Sequence, residues 1–288
     1  VHQIVRPLIA LAGALTLALP ATAAPALWEV RDADSAIRIF GSFHILPDGT
    51  EWRTPEFDTT LAEADFIVFE TDVSPLAMAQ LGAQAFVRGI YTDGTLLTDR
   101  VDAETETLLR AELGKIGMPV GPVLAMRPWM AANAISAAAL EATGFSSKGV
   151  ELALETELEN RQARFLESGE EQLDVLSSAP EDEQIAMLSS TLVEIDLMPK
   201  VMSKMLRSWV DGTPERLAPL FQMEMGGFED AFLDRLLYAR NRNWIPALED
   251  MLARNERALV IVGAGHLVGK DNVIALLEAA GYTAERIQ

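Results

Sequence analysis

The sequence predicts an α/β fold: a mainly parallel central sheet built from both ends of the chain, with a large helical segment between them. Three observations carry this. Short apolar runs at residues 36–40, 66–69 and 258–262 have the length and composition of strands covered on both faces. A helix start signal, Thr54-Pro55-Glu56, separates the first two runs and makes residues 36–70 one βαβ-sized unit. The stretch from about 74 to 254 carries mostly helical patterning.

Taken in order, residues 1–23 have one basic residue, Arg6, then the apolar stretch 7–19, then Pro20-Ala21-Thr22-Ala23. That is the layout of a secretory signal peptide, with cleavage expected after Ala23. The run falls short of the roughly 20 residues of a membrane span, and no later segment resembles one. Residues 24–288 are expected to form a single domain, with the helical insert at about 74–254. Residues 26–30 and 36–40 read as strands around the Asp32-Ala33-Asp34-Ser35 turn. After the helix beginning near Pro55, residues 66–69 give a further strand.

Within the insert, residues 126–142 are alanine-rich and apolar, as a buried helix would be. Residues 149–162 read as a second helix, stacking Glu151, Glu155 and Glu159 on one face; the last two suit a solvated surface. Residues 163–166 form a short strand candidate. A long amphipathic helix over 180–210 should be kinked or broken near Pro199, and Asp211-Gly212-Thr213-Pro214 is a clear break. The end of the chain returns to α/β character: a strand at 258–262, a helix near 272–279, Gly281, and a strand at 283–287.

Composition narrows the function. The formal net charge of −20 repels phosphate backbones, so nucleic acid is excluded as a partner. The absence of cysteine removes disulfides, thiolate metal sites and thiol nucleophiles, and fits an exported periplasmic protein that relies on its core. The substrate is expected to be a peptide or small molecule, and the oligomeric state is left open.

The chemistry concentrates on histidine. The chain has three, and His2 lies in the leader. The other two follow apolar strands in matching Gly-x-x-His settings, Gly41-Ser42-Phe43-His44 and Gly263-Ala264-Gly265-His266. Glu70 ends a third such run. Ligands of open α/β sheets bind beyond the carboxyl ends of the strands, where glycines at 41, 263 and 265 permit tight turns and close approach. Two imidazoles and a carboxylate there form a divalent-metal ligand set with open positions: His44, Glu70 and His266. Glu151, just after Gly149 at a helix start, is a candidate further ligand or general base beside Glu70. Arg127, Arg240 and Asn241 are candidate substrate or oxyanion contacts. Gly263-Ala264-Gly265 lacks the spacing of a dinucleotide loop.

These residues resemble the TraB/GumN family, related to Tiki-type proteins. The match runs through Ile39-Phe40-Gly41-Ser42-Phe43-His44-Ile45-Leu46-Pro47, Ala64-Asp65-Phe66-Ile67-Val68-Phe69-Glu70-Thr71-Asp72, Lys148-Gly149-Val150-Glu151, Leu236-Leu237-Tyr238-Ala239-Arg240-Asn241 and Val260-Ile261-Val262-Gly263-Ala264-Gly265-His266-Leu267-Val268-Gly269. The resemblance implies an erythromycin-esterase/ChaN-like fold and metal and catalytic roles for His44, Glu70 and His266. From the Tiki branch it implies metal-dependent proteolysis with Mn²⁺ or Co²⁺, Zn²⁺ being a further candidate. Ser42 stands where the family usually has threonine, and Glu151 where aspartate is expected. The leading expectation is a periplasmic metal-dependent hydrolase acting on peptide bonds. Its rivals are a metal-free His/Glu esterase-type hydrolase, a haem- or iron-binding protein, and a non-catalytic accessory of polysaccharide assembly.

Overall fold

The structure, a computed structural model, describes residues 24–155, 157–158, 162–225 and 230–288. The leader read at 1–23 and Glu159 lie outside the described residues. In chain order the strands are β1 (Leu27–Arg31), β2 (Ala36–Ser42), β3 (Leu46–Pro47), β4 (Phe66–Phe69), β5 (Phe145–Ser146), β6 (Gln162–Phe165), β7 (Ala258–Gly263) and β8 (Thr283–Arg286). The helices are α1 (Pro55–Glu63), α2 (Pro75–Gly89), α3 (Ala103–Lys115), α4 (Val120–Leu124), α5 (Pro128–Glu141), α6 (Val150–Glu155), α7 (Gly169–Ser177), α8 (Glu181–Glu194), α9 (Met198–Val210), α10 (Pro214–Met225), α11 (Asp230–Leu233), α12 (Ala239–Ala253) and α13 (Val273–Ala279). A π-helical turn, Asp234–Tyr238, joins α11 to α12.

Six strands form one mixed sheet in the order β6-β4-β7-β2-β1-β8. Neighbours from β6 through β4 and β7 to β2 are parallel, while β1 runs antiparallel to both β2 and β8. The decisive feature is the place of β7. It lies between β2 and β4, so the βαβ unit read from residues 36–70 is opened by a strand from the far end of the chain. The sheet is not drawn from the chain ends alone: edge strand β6 comes from within the segment read as a helical insert.

Every residue of β4 and β7 is buried, as helices on both sheet faces require. Their side chains alternate with the period of two that strands impose. Ile67, Phe69, Leu259 and Ile261 join Phe57, Leu154, Met205 and Trp209 on one face. Phe66, Val68, Val260 and Val262 join Trp244, Leu248, Ile274 and Leu277 on the other. A separate helical core unites Leu109, Trp129, Ile135, Leu188 and Leu192.

Local signals explain the boundaries. The Phe57 N–H donates to the Thr54 hydroxyl at 3.1 Å, capping α1 ahead of Pro55. Helix α5 starts at Pro128, because a proline disfavours helical backbone in the residue before it. Residues 180–210 divide into α8 and α9, with Pro199 in the first turn of α9, where a missing N–H costs no intrahelical bond. The helix read over 149–162 is corrected: α6 spans Val150–Glu155 and Gln162 already belongs to β6. Among the described residues no helix is long and apolar enough to cross a membrane.

Candidate active site

The strand order β4-β7-β2 decides what meets what. All three strands are parallel, so their carboxyl ends lie at one edge, delivering Glu70, the Gly263–His266 turn and Ser42–His44 side by side. His266 sits in a 3₁₀ turn, Ala264–Leu267, that follows β7 directly. Gly263 lies between the groups. A Cβ built on it would stand 3.1 Å from His44 Nε2, 3.3 Å from Glu70 Oε1 and 3.6 Å from His266 Cδ2. The three side chains therefore converge on the space that its missing side chain leaves open.

Each imidazole is held from behind through Nδ1. For His44 the partner is Glu151, with Nδ1 3.0 Å from Oε1, and the Ser42 hydroxyl donates to the same oxygen. Gly149 makes this approach possible: a Cβ there would stand 2.3 Å from the His44 carbonyl carbon and oxygen. The Val150 N–H donates to the Phe43 carbonyl at 3.0 Å, and the β3–β5 pair ties the segment after His44 to the one before Gly149. For His266 the partner is Asn241. Asn241 Nδ2 donates to the Asp271 carbonyl at 2.8 Å, turning Oδ1 to His266 Nδ1 at 2.6 Å. That pairing puts the proton on Nδ1 and leaves the Nε2 lone pair facing Glu70 Oε1, 3.7 Å away.

Glu70 is buried, and both of its oxygens are engaged. Oε1 accepts the Gly263 N–H at 2.6 Å; Oε2 accepts Arg240 Nη2 at 2.6 Å and Gln172 Nε2 at 3.1 Å. Arg240 also donates to Glu167 through Nη2 at 2.6 Å, and its Nη1 lies 3.2 Å from His266 Nε2. One guanidinium thus bridges two buried carboxylates. The π-helical turn just ahead of α12 sets the phase from which Arg240 and Asn241 project, and such turns recur at functional sites.

The charges follow from these contacts. Burial opposes ionisation of Glu70, but His266, His44, Arg240 and the Gly263 N–H outweigh it and bring the carboxyl down to about 2. Burial dominates at His266; Glu70 pulls against it, Arg240 pushes with it, and the imidazole falls to about 3, neutral at pH 7. His44 goes the other way. Burial again opposes the charge, yet the Glu151 carboxylate raises the ring to about 9. Although protein surrounds that ring, 60% of the side chain is open to the cavity, so water assists the same direction.

The site floors a cavity of about 490 Å³ lined by His44, Glu70, Gln172, Arg240 and His266 among largely apolar neighbours. Among the sequence candidates, His44, Glu70, Arg240 and His266 reach this cavity, with Gly263 and Gly265. Glu151 and Asn241 stand behind the two imidazoles, so geometry makes them positioning groups where the sequence suggested a ligand or base and a substrate contact. Arg127 is not brought to the site; it caps α5 and stacks 4.8 Å over the Tyr91 ring. Gly41 lies against the Ala264 backbone, and its carbonyl accepts Trp209 Nε1 at 2.6 Å. Sequence reading missed Gln172 and Glu167. Glu167 lies just past β6, as Glu70 lies just past β4, and that parallel is the signal that could have found it.

Among the described residues no group of three or more His, Cys, Asp or Glu side chains stands close enough to hold a metal ion as placed. The donor types nevertheless suit a divalent cation: His44 Nε2 and Glu70 Oε1 face the cradle over Gly263, His266 Nε2 lies 3.7 Å from that same Glu70 oxygen and 3.2 Å from Arg240 Nη1, and each imidazole has an outer partner on Nδ1.

A stretch of 77 residues is 34% identical to a Metalloprotease TIKI homolog of Amphimedon queenslandica, covering 25% of this chain and 15% of that relative. The chain thus matches less than a fifth of the relative's length. No solved structure matches. The family model for TraB/PrgY/gumN spans residues 26–286, nearly the whole described chain, and the protein belongs to the TraB/PrgY/gumN family.

Proposed function

We propose that this protein is a metal-dependent hydrolase acting on peptide bonds, with His44, Glu70 and His266 holding a divalent cation, Mn²⁺ or Co²⁺ in preference to Zn²⁺. The observation that carries the reading is the convergence of His44 Nε2, Glu70 Oε1 and the His266 ring over Gly263, with both Nδ1 atoms held. When bound, such a cation supplies Lewis acidity that activates water and polarises a carbonyl near neutral pH. The partial likeness to a metalloprotease supports the peptidase assignment.

The chain's own residues divide the remaining work. Glu151 and Asn241 fix the rings of His44 and His266 through Nδ1, leaving His44 Nε2 toward Gly263 and His266 Nε2 toward Glu70 and Arg240. Glu70, ionised at neutral pH, is the carboxylate that lines the cavity and can take a proton from attacking water. Arg240 holds Glu70 in place with its N–H groups directed to Glu70, Glu167, the Leu236 carbonyl and His266, while Gln172, whose amide has a second N–H, presents a donor beside the reacting carbonyl. The water oxygen bonds to the carbonyl carbon, the C–N bond breaks, and the proton passes to the departing amine. We assign the protein to the periplasm on the strength of its N-terminal leader pattern; export of a chain beginning at Ala24 would check this.

The test pairs elemental analysis of the wild type and the His44→Ala/His266→Ala double variant with peptide cleavage in chelator and after reloading with Mn²⁺, Co²⁺ or Zn²⁺. Near-stoichiometric metal in the wild type alone, with cleavage lost to chelator and restored, is the expected result. Equal cleavage in chelator overturns it. One observation favours a second reading in that event: His44 Nε2 faces the cavity while Glu151 holds Nδ1, the base-and-orienter arrangement of metal-free ester hydrolysis, which with His44 raised to about 9 would gain rate as pH rises toward that value.

A further inference from the structure

The upper walls of the cavity have chemistry unlike its floor. Met202 and Met205 of α9, Phe221 of α10, Val175 and Leu176 of α7 and Leu236 of the π-helical turn form an apolar wall above the catalytic groups. Gly265 helps to build it, since a Cβ there would stand 2.9 Å from the Phe221 ring. About 490 Å³ is the scale of a small-molecule pocket, not of a packing defect. Apolar surface facing water in such a space gains free energy when a ligand covers it.

The charged groups at the floor are already engaged with one another. Glu70 pairs with Arg240, Arg240 with Glu167, and His44 with Glu151. Among the described residues no Lys or Asp lines the cavity, and its charged groups are paired, so a charged substrate side chain entering it would lose water without finding a free opposite charge.

We propose that this cavity is a specificity subsite for an uncharged, bulky side chain, aliphatic or aromatic, belonging to the residue beside the cleaved bond. The inference rests on the hydrolase reading for the words "beside the cleaved bond"; the apolar recognition itself does not. Selectivity should grow about fourfold for each methylene buried, so Leu should exceed Ala by tenfold or more. Met202, half-buried on α9, is a wall residue outside the catalytic floor and is the position to alter.

The experiment has a binding arm and a cleavage arm. The binding arm titrates N-acetyl amides of Ala, Leu, Phe, Asp and Lys into protein labelled with ¹³C at the methionine methyls, with Met202→Leu and Met205→Leu assigning the two signals. Leu and Phe amides should shift both signals and bind at least tenfold tighter than Ala, with Asp and Lys weaker still. Met202→Glu should weaken Leu and Phe tenfold or more and favour Lys, whereas Met202→Leu should keep the wild-type order. In His44→Ala the Leu amide should still shift both methyls. The cleavage arm follows peptides varied at one residue across the same five side chains. Apolar-selective binding without cleavage of any peptide would overturn the hydrolase reading and leave the apolar subsite standing. Cleavage with equal kcat/KM across the series, or binding that ignores the side chain, would overturn the subsite.

Discussion

His44 Nδ1 lies 3.0 Å from the buried carboxylate of Glu151, and that single contact explains why an open imidazole carries a raised pKa. The two residues come from elements about a hundred positions apart, brought together because Gly149 lets the start of α6 press against the backbone of residues 43 and 44. The pair faces the cavity on one side only: His44 presents Nε2, and Glu151 stays behind it.

Replacing Glu151 with Gln should therefore lower the His44 pKa from about 9 toward its ordinary 6.5, because the carboxylate is what opposes burial. With so few histidines in the chain, proton NMR of the metal-free protein can follow each ring directly. His266 should be nearly unaffected, since its pKa is set by burial, Glu70 and Arg240, and the smaller effect of His44 persists because that ring is still protonated at pH 3, where His266 titrates. A His44 titration unchanged in Glu151→Gln would refute the pairing.

Two glycine substitutions should separate stability from activity. In Gly263→Ala the new methyl meets His44 Nε2 and Glu70 Oε1 at 3.1 and 3.3 Å, so the side chains must give by tenths of an ångström. Stability should fall by about 1 kcal/mol or less, while the proposed peptide cleavage drops on the order of 10- to 100-fold through misplacement. In Gly149→Ala the methyl would meet backbone at 2.3 Å, which cannot yield without moving the segment. A loss of about 3 kcal/mol or more is expected in denaturant unfolding. Equal stability losses in the two variants would contradict this account.

The convergence of the candidate site residues was legible in the sequence because each follows an apolar strand, and the ends of parallel strands share an edge. His44, Glu70 and His266 needed only that rule. What the sequence concealed was strand order. Nothing local to residues 258–263 says that β7 inserts between β2 and β4, since that choice is made by packing on both sheet faces. The roles of Glu151 and Asn241 were hidden for a related reason: a polar residue near a helix start looks the same whether it points into a cavity or props another side chain. Arg127 shows the converse. Its charge invited a functional reading, while the stack on Tyr91 gives it a packing role.

Asn241 supports His266 without reaching the cavity, so its removal should act through the ring. Asn241→Leu leaves the buried His266 Nδ1–H and the Asp271 carbonyl without their present partners, at a cost of about 1–3 kcal/mol. If the proposed metal site is correct, affinity for Mn²⁺ or Co²⁺ should fall about 10- to 100-fold, the usual effect of losing an outer partner. Calorimetric titration of metal into both proteins gives the comparison. Unchanged affinity would refute the orienting role of Asn241, and His266→Ala then tells whether His266 is a ligand: affinity lost there keeps it as one, and affinity retained there removes it.

The buried groups also fix how stability responds to acid. Glu70 has a folded pKa of about 2 against an ordinary 4.5, so it stabilises the protein fully above 4.5 and loses that contribution as pH falls toward 2. His266 is neutral when folded, with a pKa of about 3 against 6.5. Below pH 6.5 the unfolded chain takes up a proton that the folded chain refuses, so His266 destabilises progressively down to pH 3. His44, raised to about 9, stabilises fully below 6.5 and loses that contribution as pH rises through 9. The metal-free protein should therefore be most stable near neutrality, with its acid loss beginning around pH 6.5, earlier than carboxylates alone would give. His266→Asn removes the first part of that loss: its Tm should stay nearly level from pH 6.5 to 5 while the wild type declines. Parallel Tm profiles for the two proteins across that interval would show that His266 is already protonated in the folded state.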